Sequence, residues 1–194
     1  LPICEGRAAA ALKSDHIVTI YQVAEANGVP YMALEFLEGA TLDDWLKKRT
    51  GPQPLAVLLK VARDVLKGLA EAHEKGLVHR DIKPANLWVE TKTQRVKVLD
   101  FGLTRDAGGQ DQVTQEGAVV GTPAYMAPEQ AGALPVDGRC DLFSVGVVLH
   151  RMVSGKSPFQ RGEVLATLMA LAIDQPHGHD VVDRETVLEA MHAA

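Results

Sequence analysis

The stretch "HRDIKPANLWV", His79 to Val89, places an acid, a lysine and an amide at short fixed intervals ahead of an apolar run. In a catalytic loop, Asp81 would receive a hydroxyl proton, Lys83 would reach a transferring phosphoryl group, and Asn86 would offer an amide oxygen to a metal. Pro84 stiffens the turn between them. The alternative is a solvated turn after a helix, but the set H-R-D-x-K-P-x-N fixes six positions in eight, which chance rarely produces.

A second acid lies downstream, in "VLDFGL". Asp100 follows a β-branched run, where a strand would present its carboxylate beside Asn86. Mg²⁺ prefers such oxygen ligands and usually keeps waters and substrate phosphates as its other ligands. Gly102 permits the unusual backbone angles of a turn that must move. Any strand-to-turn junction would also fit the tripeptide DFG, so this signal gains weight only from its neighbours.

Two further segments follow, "GTPAYMAPEQ" (Gly121 to Gln130) and an apolar helix that opens with Asp141. An acid buried in such a helix is costly unless it binds backbone donors. An N-cap is the alternative role for Asp141.

These four segments, in this order and spacing, resemble the eukaryotic-type serine/threonine protein kinase family, and their wording is similar to bacterial members. The resemblance covers roughly residues 5–171. It implies an α+β, protein-kinase-like two-lobe fold, with a partial β-containing N-lobe over residues 1–37 and a mainly helical C-lobe over 38–194 that is incomplete at its end. It also implies transfer of the ATP γ-phosphoryl group, with Mg²⁺, to a Ser or Thr hydroxyl of a protein substrate.

The resemblance assigns catalytic roles residue by residue. The implied catalytic set is Asp81 as base, Lys83 on the phosphate, and Asn86 and Asp100 as the metal ligands. Glu35 to Leu37 resembles the hinge whose backbone binds adenine, which gives Leu34 the gatekeeper position. Trp88 falls under the adenine, where an indole would stack on the base; a core tryptophan is the alternative.

Other matched positions are implied to be structural or regulatory. Arg80 is expected to meet a phosphate on the activation segment, for which Thr114 is the candidate acceptor. His79 is expected to pack against Phe101. The remaining positions of this kind are Glu5, the helix glutamate that pairs with a strand lysine; Gly102; Thr122, which supports Ser/Thr substrates; Glu129, the acid of the APE triplet; and Asp141.

The 194 residues contain neither a glycine-rich phosphate loop nor a matching strand lysine ahead of Glu5. We therefore expect the chain to be a fragment of a longer kinase and to be weak or inactive alone, since phosphoryl transfer depends on positioning. A non-catalytic kinase-fold interaction module is the alternative. A small-molecule phosphotransferase is disfavoured by the APE segment, which serves protein substrates in the family.

Composition and charge bear on whether the chain binds nucleic acid or spans a membrane. A net charge of -5 without a clustered basic face argues against nucleic-acid binding. No apolar run approaches the length of about 18 residues that spans a bilayer, so we expect no membrane segment in this chain and a cytoplasmic location. Many bacterial relatives carry a membrane segment, so an anchor elsewhere in the parent protein is compatible with this expectation. Cys4 and Cys140 lie far apart and are expected to be free thiols.

Local patterns predict the secondary structure. Helices are expected at residues 5–13, 41–49, 54–75 and 141–154, in "GEVLATLMALAI" and near the C-terminus. A hairpin is expected around Asn27-Gly28, and short strands in "LVH", "NLWVE" and "RVKVLD". The glycine-rich segment from 108 to 121 is expected to be a mobile loop.

Overall fold

The computed structural model describes residues 10, 12–49, 51–101, 123–132, 134–159, 161, 166, 167 and 170. The predicted loop at 108–121 and the predicted C-terminal helix lie outside these residues. The predicted helices at 5–13 and at "GEVLATLMALAI" lie largely outside them.

The hairpin predicted around Asn27-Gly28 is confirmed. Strand β1, Ile20–Ala26, pairs antiparallel with β2, Val29–Leu34. The two turn residues have φ values of 53° and 78°, the left-handed conformation that a two-residue turn of this kind requires and that Asn and Gly tolerate best.

A second sheet lies next to the hairpin. It contains β3, Gly39–Thr41, β4, Leu87–Glu90, and β5, Val96–Val98, in the order β3-β4-β5 with antiparallel pairing. The segment before β1 joins it through a parallel bridge between Ile17 and Val98. The strands predicted in "NLWVE" and "RVKVLD" are confirmed.

The strand predicted at "LVH", residues 77–79, is wrong, because this segment is irregular. The backbone N–H of His79 is bonded to the carboxylate of Asp141 rather than to a neighbouring strand.

The described helices are α1, Leu42–Lys47, α2, Leu55–His73, α3, Pro128–Ala131, and α4, Arg139–Ser154. Short 3₁₀ turns cover Pro84–Asn86 and Pro123–Tyr125. Thr41 caps α1 as its sequence predicts, since its hydroxyl accepts the Asp44 N–H at 3.1 Å. None of the helices in the described ranges is long and apolar enough to cross a bilayer.

Helix α2 lies against α4 and β5 at the centre of the core. Five of its predicted apolar positions are buried, namely Leu58, Val61, Val65, Leu69 and Ala72. Leu66, predicted to share that face, is 40% exposed, because the buried stripe is narrower than the apolar pattern. The helix also ends at His73, before Gly76, which forms the following turn with φ 73°.

A buried acid on α2 fixes the strand that leads to Asp100. Asp64 is 3% exposed and accepts the Val96 N–H at 3.1 Å and the Lys60 ammonium at 2.9 Å. Burial alone would raise the pKa of Asp64, but these two donors hold it below its ordinary value. This carboxylate was not predicted as a functional residue, and it positions β5 from the helical side.

Candidate active site

The catalytic loop brings together three of the residues that its sequence singled out. One carboxylate oxygen of Asp81, Oδ2, accepts the Lys83 ammonium at 2.7 Å and the Asn86 amide at 3.0 Å. The same amide also donates to the Asp81 backbone carbonyl at 2.9 Å. The 3₁₀ turn Pro84–Asn86 makes this possible, because it folds Asn86 back over Asp81. The other carboxylate oxygen, Oδ1, has no partner within the described residues.

His79 joins this loop to the segment that carries Asp100. Its Nε2 donates to the Leu99 carbonyl at 2.7 Å, and its Nδ1 accepts the Asp81 N–H at 3.2 Å. Both bonds are satisfied by the tautomer with its proton on Nε2. The ring also meets Phe101 edge-on, with centroids 4.8 Å apart, as expected.

Asp141 supports the loop from below. It is fully buried, and its carboxylate accepts the backbone N–H of His79 at 2.9 Å and of Arg80 at 2.7 Å. A third bond, 2.8 Å, comes from His73 Nε2 at the end of α2. The expectation that a buried Asp141 binds backbone donors is met. The N-cap alternative is wrong, because Gly138 occupies the N-cap position of α4.

Arg80 is held in an unusual backbone conformation, with φ 64°. Its N–H is bound by Asp141, and its carbonyl accepts the Gln130 amide at 2.8 Å. Such a conformation persists only where surrounding groups fix it. Within the described residues, the Arg80 Nε is buried without a hydrogen-bond partner.

Asp100 lies directly after Leu99, whose N–H donates to the Asn86 carbonyl at 2.9 Å. Asp100 is exposed and, like Arg80, has a positive φ, 55°. The Asn86 amide nitrogen is used by Asp81, so its side-chain oxygen is left to accept or to bind a cation. No group of three or more His, Cys, Asp or Glu side chains suited to a metal occurs in the described part of the chain. Two oxygens from Asn86 and Asp100 suit Mg²⁺, which keeps waters and phosphates as its other ligands.

The predicted hinge is anchored through its first residue. The Glu35 carboxylate accepts the Lys97 ammonium from β5 and the Thr19 N–H before β1, each at 2.7 Å. Burial would raise the pKa of Glu35, but the lysine and the backbone donor lower it. The segment is otherwise open: Leu34 and Phe36 are 39% and 91% exposed. Leu37 follows at intermediate burial.

Trp88 lies on β4 with its ring against the start of β3. A Cβ on Gly39 would be 2.8 Å from the indole Nε1 and 2.1 Å from the Val89 carbonyl oxygen. The indole N–H is buried without a partner in the described residues. The sequence predicts contact with adenine for this residue, and that contact stays a prediction.

Four predicted positions, Glu5, Gly102, Thr114 and Thr122, lie outside the described residues. Glu129 is half-buried at the start of α3.

Three residues that act at this site, Lys97, Gln130 and His73, were not predicted from the motifs. Gln130 stands in the quoted "GTPAYMAPEQ" but gave no signal of its own. Lys97 interrupts the apolar run "VKV", which was a usable signal, since a lysine buried in a strand needs a carboxylate.

A β-hairpin and a three-stranded sheet beside a mainly helical half, with the catalytic loop between them, form an α+β fold of the two-lobe protein-kinase type. The family model described as the protein kinase domain matches residues 3–185.

Individual relatives point the same way. The chain is similar to serine/threonine-protein kinase PknB of Mycobacterium leprae (strain TN), at 40% identity over 80% of this chain and 25% of that protein. It is 38% identical to serine/threonine-protein kinase PknL of Mycobacterium tuberculosis (strain H37Rv), over 92% of this chain and 44% of that protein. Serine/threonine-protein kinase Pkn1 of Myxococcus xanthus is 37% identical over 89% and 25% respectively. The chain belongs to the protein kinase family and, within it, to the eukaryotic-type serine/threonine kinases of bacteria. It spans less than half the length of these curated relatives.

Proposed function

We propose that this chain carries the phosphoryl-transfer centre of a serine/threonine protein kinase that uses ATP and Mg²⁺. The observation that carries the proposal is the Asp81 carboxylate, one oxygen of which is fixed by Lys83 and Asn86 at 2.7 and 3.0 Å, while the other has no partner among the described residues. A carboxylate held in this way can take a proton at a defined place.

In the proposed reaction, Asp81 Oδ1 accepts the proton of a substrate Ser or Thr hydroxyl as its oxygen attacks the γ-phosphorus. The bond from the γ-phosphorus to the bridging oxygen breaks, and ADP leaves. The Lys83 ammonium, 2.7 Å from Asp81, is available to offset negative charge on the transferring group. Asn86 and Asp100 would hold Mg²⁺, which supplies positive charge to the phosphates when bound.

The hinge and the activation segment have proposed roles as well. The backbone of Glu35 and Leu37 would bind adenine, above Trp88. The salt bridge of Glu35 with Lys97 supports this by fixing the start of the hinge. The Arg80 Nε, buried without a partner within the described ranges, supports a contact with an anion; a phosphate on Thr114 is the proposed one.

The test separates nucleotide binding from transfer. Thermal unfolding is followed with and without Mg·ATP for the wild type, Asp81→Asn and Asp100→Ala, with Glu74→Gln as an exposed acidic control. Radiolabel transfer to a Ser/Thr peptide library is measured on the same four proteins. We expect Mg·ATP to stabilise the wild type, Asp81→Asn and the control, and to stabilise Asp100→Ala less. Transfer, however slow in the wild type, should fall at least about 100-fold in Asp81→Asn.

Two results would count against the proposal. Transfer that survives in Asp81→Asn would remove Asp81 as the base. Stabilisation by Mg·ATP without measurable transfer in the wild type would favour the second candidate, a non-catalytic kinase-fold module.

A further inference from the structure

A cavity of about 580 Å³ opens beside the catalytic loop. Its lining includes Lys83 and Pro84 from the loop, Tyr125 from the second 3₁₀ turn, Arg151 from the last turn of α4, and Lys156 just after that helix. Lys83 joins the cavity to the reaction centre, because its ammonium binds Asp81 at 2.7 Å. A peptide whose hydroxyl reaches Asp81 would therefore have neighbouring side chains within reach of this cavity.

The cavity is cationic in a chain whose net charge is -5. Among its described lining residues, three side chains are positive, Lys83, Arg151 and Lys156, and one is negative, Asp43. The negative charge of Asp43 is shared between two cations, because its carboxylate binds Lys47 at 2.8 Å as well as the Arg151 guanidinium at 2.8 Å. Because Lys83 is paired with Asp81, the excess positive charge of the described lining comes from Arg151 and Lys156.

Arg151 is fixed rather than loose. Its Nη1 donates to the Tyr125 hydroxyl at 2.6 Å and binds Asp43, while its side chain remains 24% exposed. Burial alone would lower the pKa of Arg151, but Tyr125 and Asp43 raise it. Its other guanidinium nitrogens have no partner within the described residues, so they remain as donors for an anion.

Lys156 adds a second donor whose backbone is anchored. The Ser154 hydroxyl accepts its N–H at 3.2 Å and donates to its carbonyl at 2.8 Å, just after Gly155 ends α4 in the left-handed conformation. Its ammonium has no carboxylate partner in the described part of the chain. An anion in the cavity would meet this ammonium together with Arg151.

We propose that this cavity is a substrate subsite for an anionic side chain, a carboxylate or a phosphorylated residue, that flanks the Ser or Thr acceptor. The inference rests on the proposed function, since it names the class of protein substrate for the same centre. A neutral side chain would leave the cationic donors unpaired, and a lysine or arginine would meet like charge.

The test measures peptide binding and so does not depend on turnover. Fluorescent peptides carry alanine at the acceptor position and Asp, phosphoserine, alanine or lysine at each flanking position in turn. Their affinities are measured by anisotropy at low and high salt. At one flanking position or a few, we expect the anionic peptides to bind about three- to tenfold more tightly than the alanine peptide, as one or two partly exposed ion pairs allow. High salt should reduce the difference.

Variants locate the effect. Lys156→Ala should reduce the preference and Lys156→Glu should abolish it. Lys67→Glu makes the same charge change at an exposed position on α2 that does not line the cavity, and it should retain the preference. A larger gain for phosphoserine than for Asp would identify a doubly charged ligand; equal gains would identify a carboxylate. Either supports the subsite.

The inference is overturned if anionic and alanine peptides bind equally, or if Lys67→Glu removes the preference as fully as Lys156→Glu. It fails separately from the proposed function. Radiolabel transfer to Ser peptides without a preference for anionic flanks would refute the subsite and leave the proposed function standing. Binding of anionic peptides that depends on Lys156, without transfer in the radiolabel assay, would refute the proposed phosphoryl transfer and leave the subsite standing.

Discussion

The substitution Asp141→Ala tests how the catalytic loop is held. It removes the acceptor of the His79 and Arg80 N–H groups, bonded at 2.9 and 2.7 Å, and of His73 Nε2 at 2.8 Å. His73 is partly exposed and can turn to water, whereas the two backbone groups belong to a buried contact. Each unsatisfied buried donor costs about 1–3 kcal/mol. For the two backbone donors together we therefore expect the free energy of unfolding to fall by about 2–6 kcal/mol, a large share of the 5–15 kcal/mol typical of a domain.

The measurement is urea unfolding followed by the fluorescence of the two tryptophans, at positions 45 and 88. Asp141→Asn keeps the shape but turns one acceptor into a donor, so its loss should be smaller, about 1–3 kcal/mol, and it carries the test if Asp141→Ala does not fold. Asp137→Asn changes an exposed carboxylate just ahead of the same helix and should leave the midpoint nearly unchanged. A loss below about 0.5 kcal/mol for Asp141→Ala, in the range of surface substitutions, would refute the reasoning.

Three further predictions concern the neighbouring structure. The pKa of Glu35 is lowered from 4.5 in the folded state, so its ion pair with the buried Lys97 stabilises the fold above that pH. This contribution is lost as pH falls through the lower folded pKa. Urea unfolding from about pH 5 to about pH 3 should show a steeper loss of unfolding free energy in the wild type than in Glu35→Gln. Gly39→Ala would put a Cβ 2.1 Å from the Val89 carbonyl oxygen and should lower the unfolding free energy by more than about 2 kcal/mol, while Gly146→Ala, which has open space at its Cβ, should not destabilise the chain. Burial and the adjacent carboxylate raise the pKa of the Cys140 thiol, so peptide mapping after iodoacetamide treatment should find it modified only in unfolded protein.

How much the sequence could predict depends on how far apart along the chain the interacting residues lie. Asp81, Lys83 and Asn86 lie within six positions, so one turn brings them together and their spacing alone carries the information. The Asn27-Gly28 turn is equally local. The strand predicted at "LVH" failed for the opposite reason: its composition suits a strand, but a distant carboxylate on α4 takes the N–H of His79.

The contacts that position the site are the ones that spacing could not reveal. Lys97 meets Glu35 across 62 positions, and Gln130 meets Arg80 across 50. Each depends on how a strand or helix is placed by packing elsewhere, which no local pattern encodes. A buried polar residue in an apolar run predicts that a partner exists, but not which residue it is.

The supports of the catalytic loop all come from one side of the site. Residues 79–81 are held by Asp141, Gln130 and the Leu99 carbonyl. Asp141 and Gln130 belong to the helical half, and Leu99 directly follows β5. None of these contacts involves the hinge or the hairpin. The geometry of the proposed base is therefore set independently of the groups that would bind adenine. A hinge variant that weakens adenine binding should leave the Asp81 hydrogen bonds intact, and one that disturbs Asp141 should disturb the base even where nucleotide still binds.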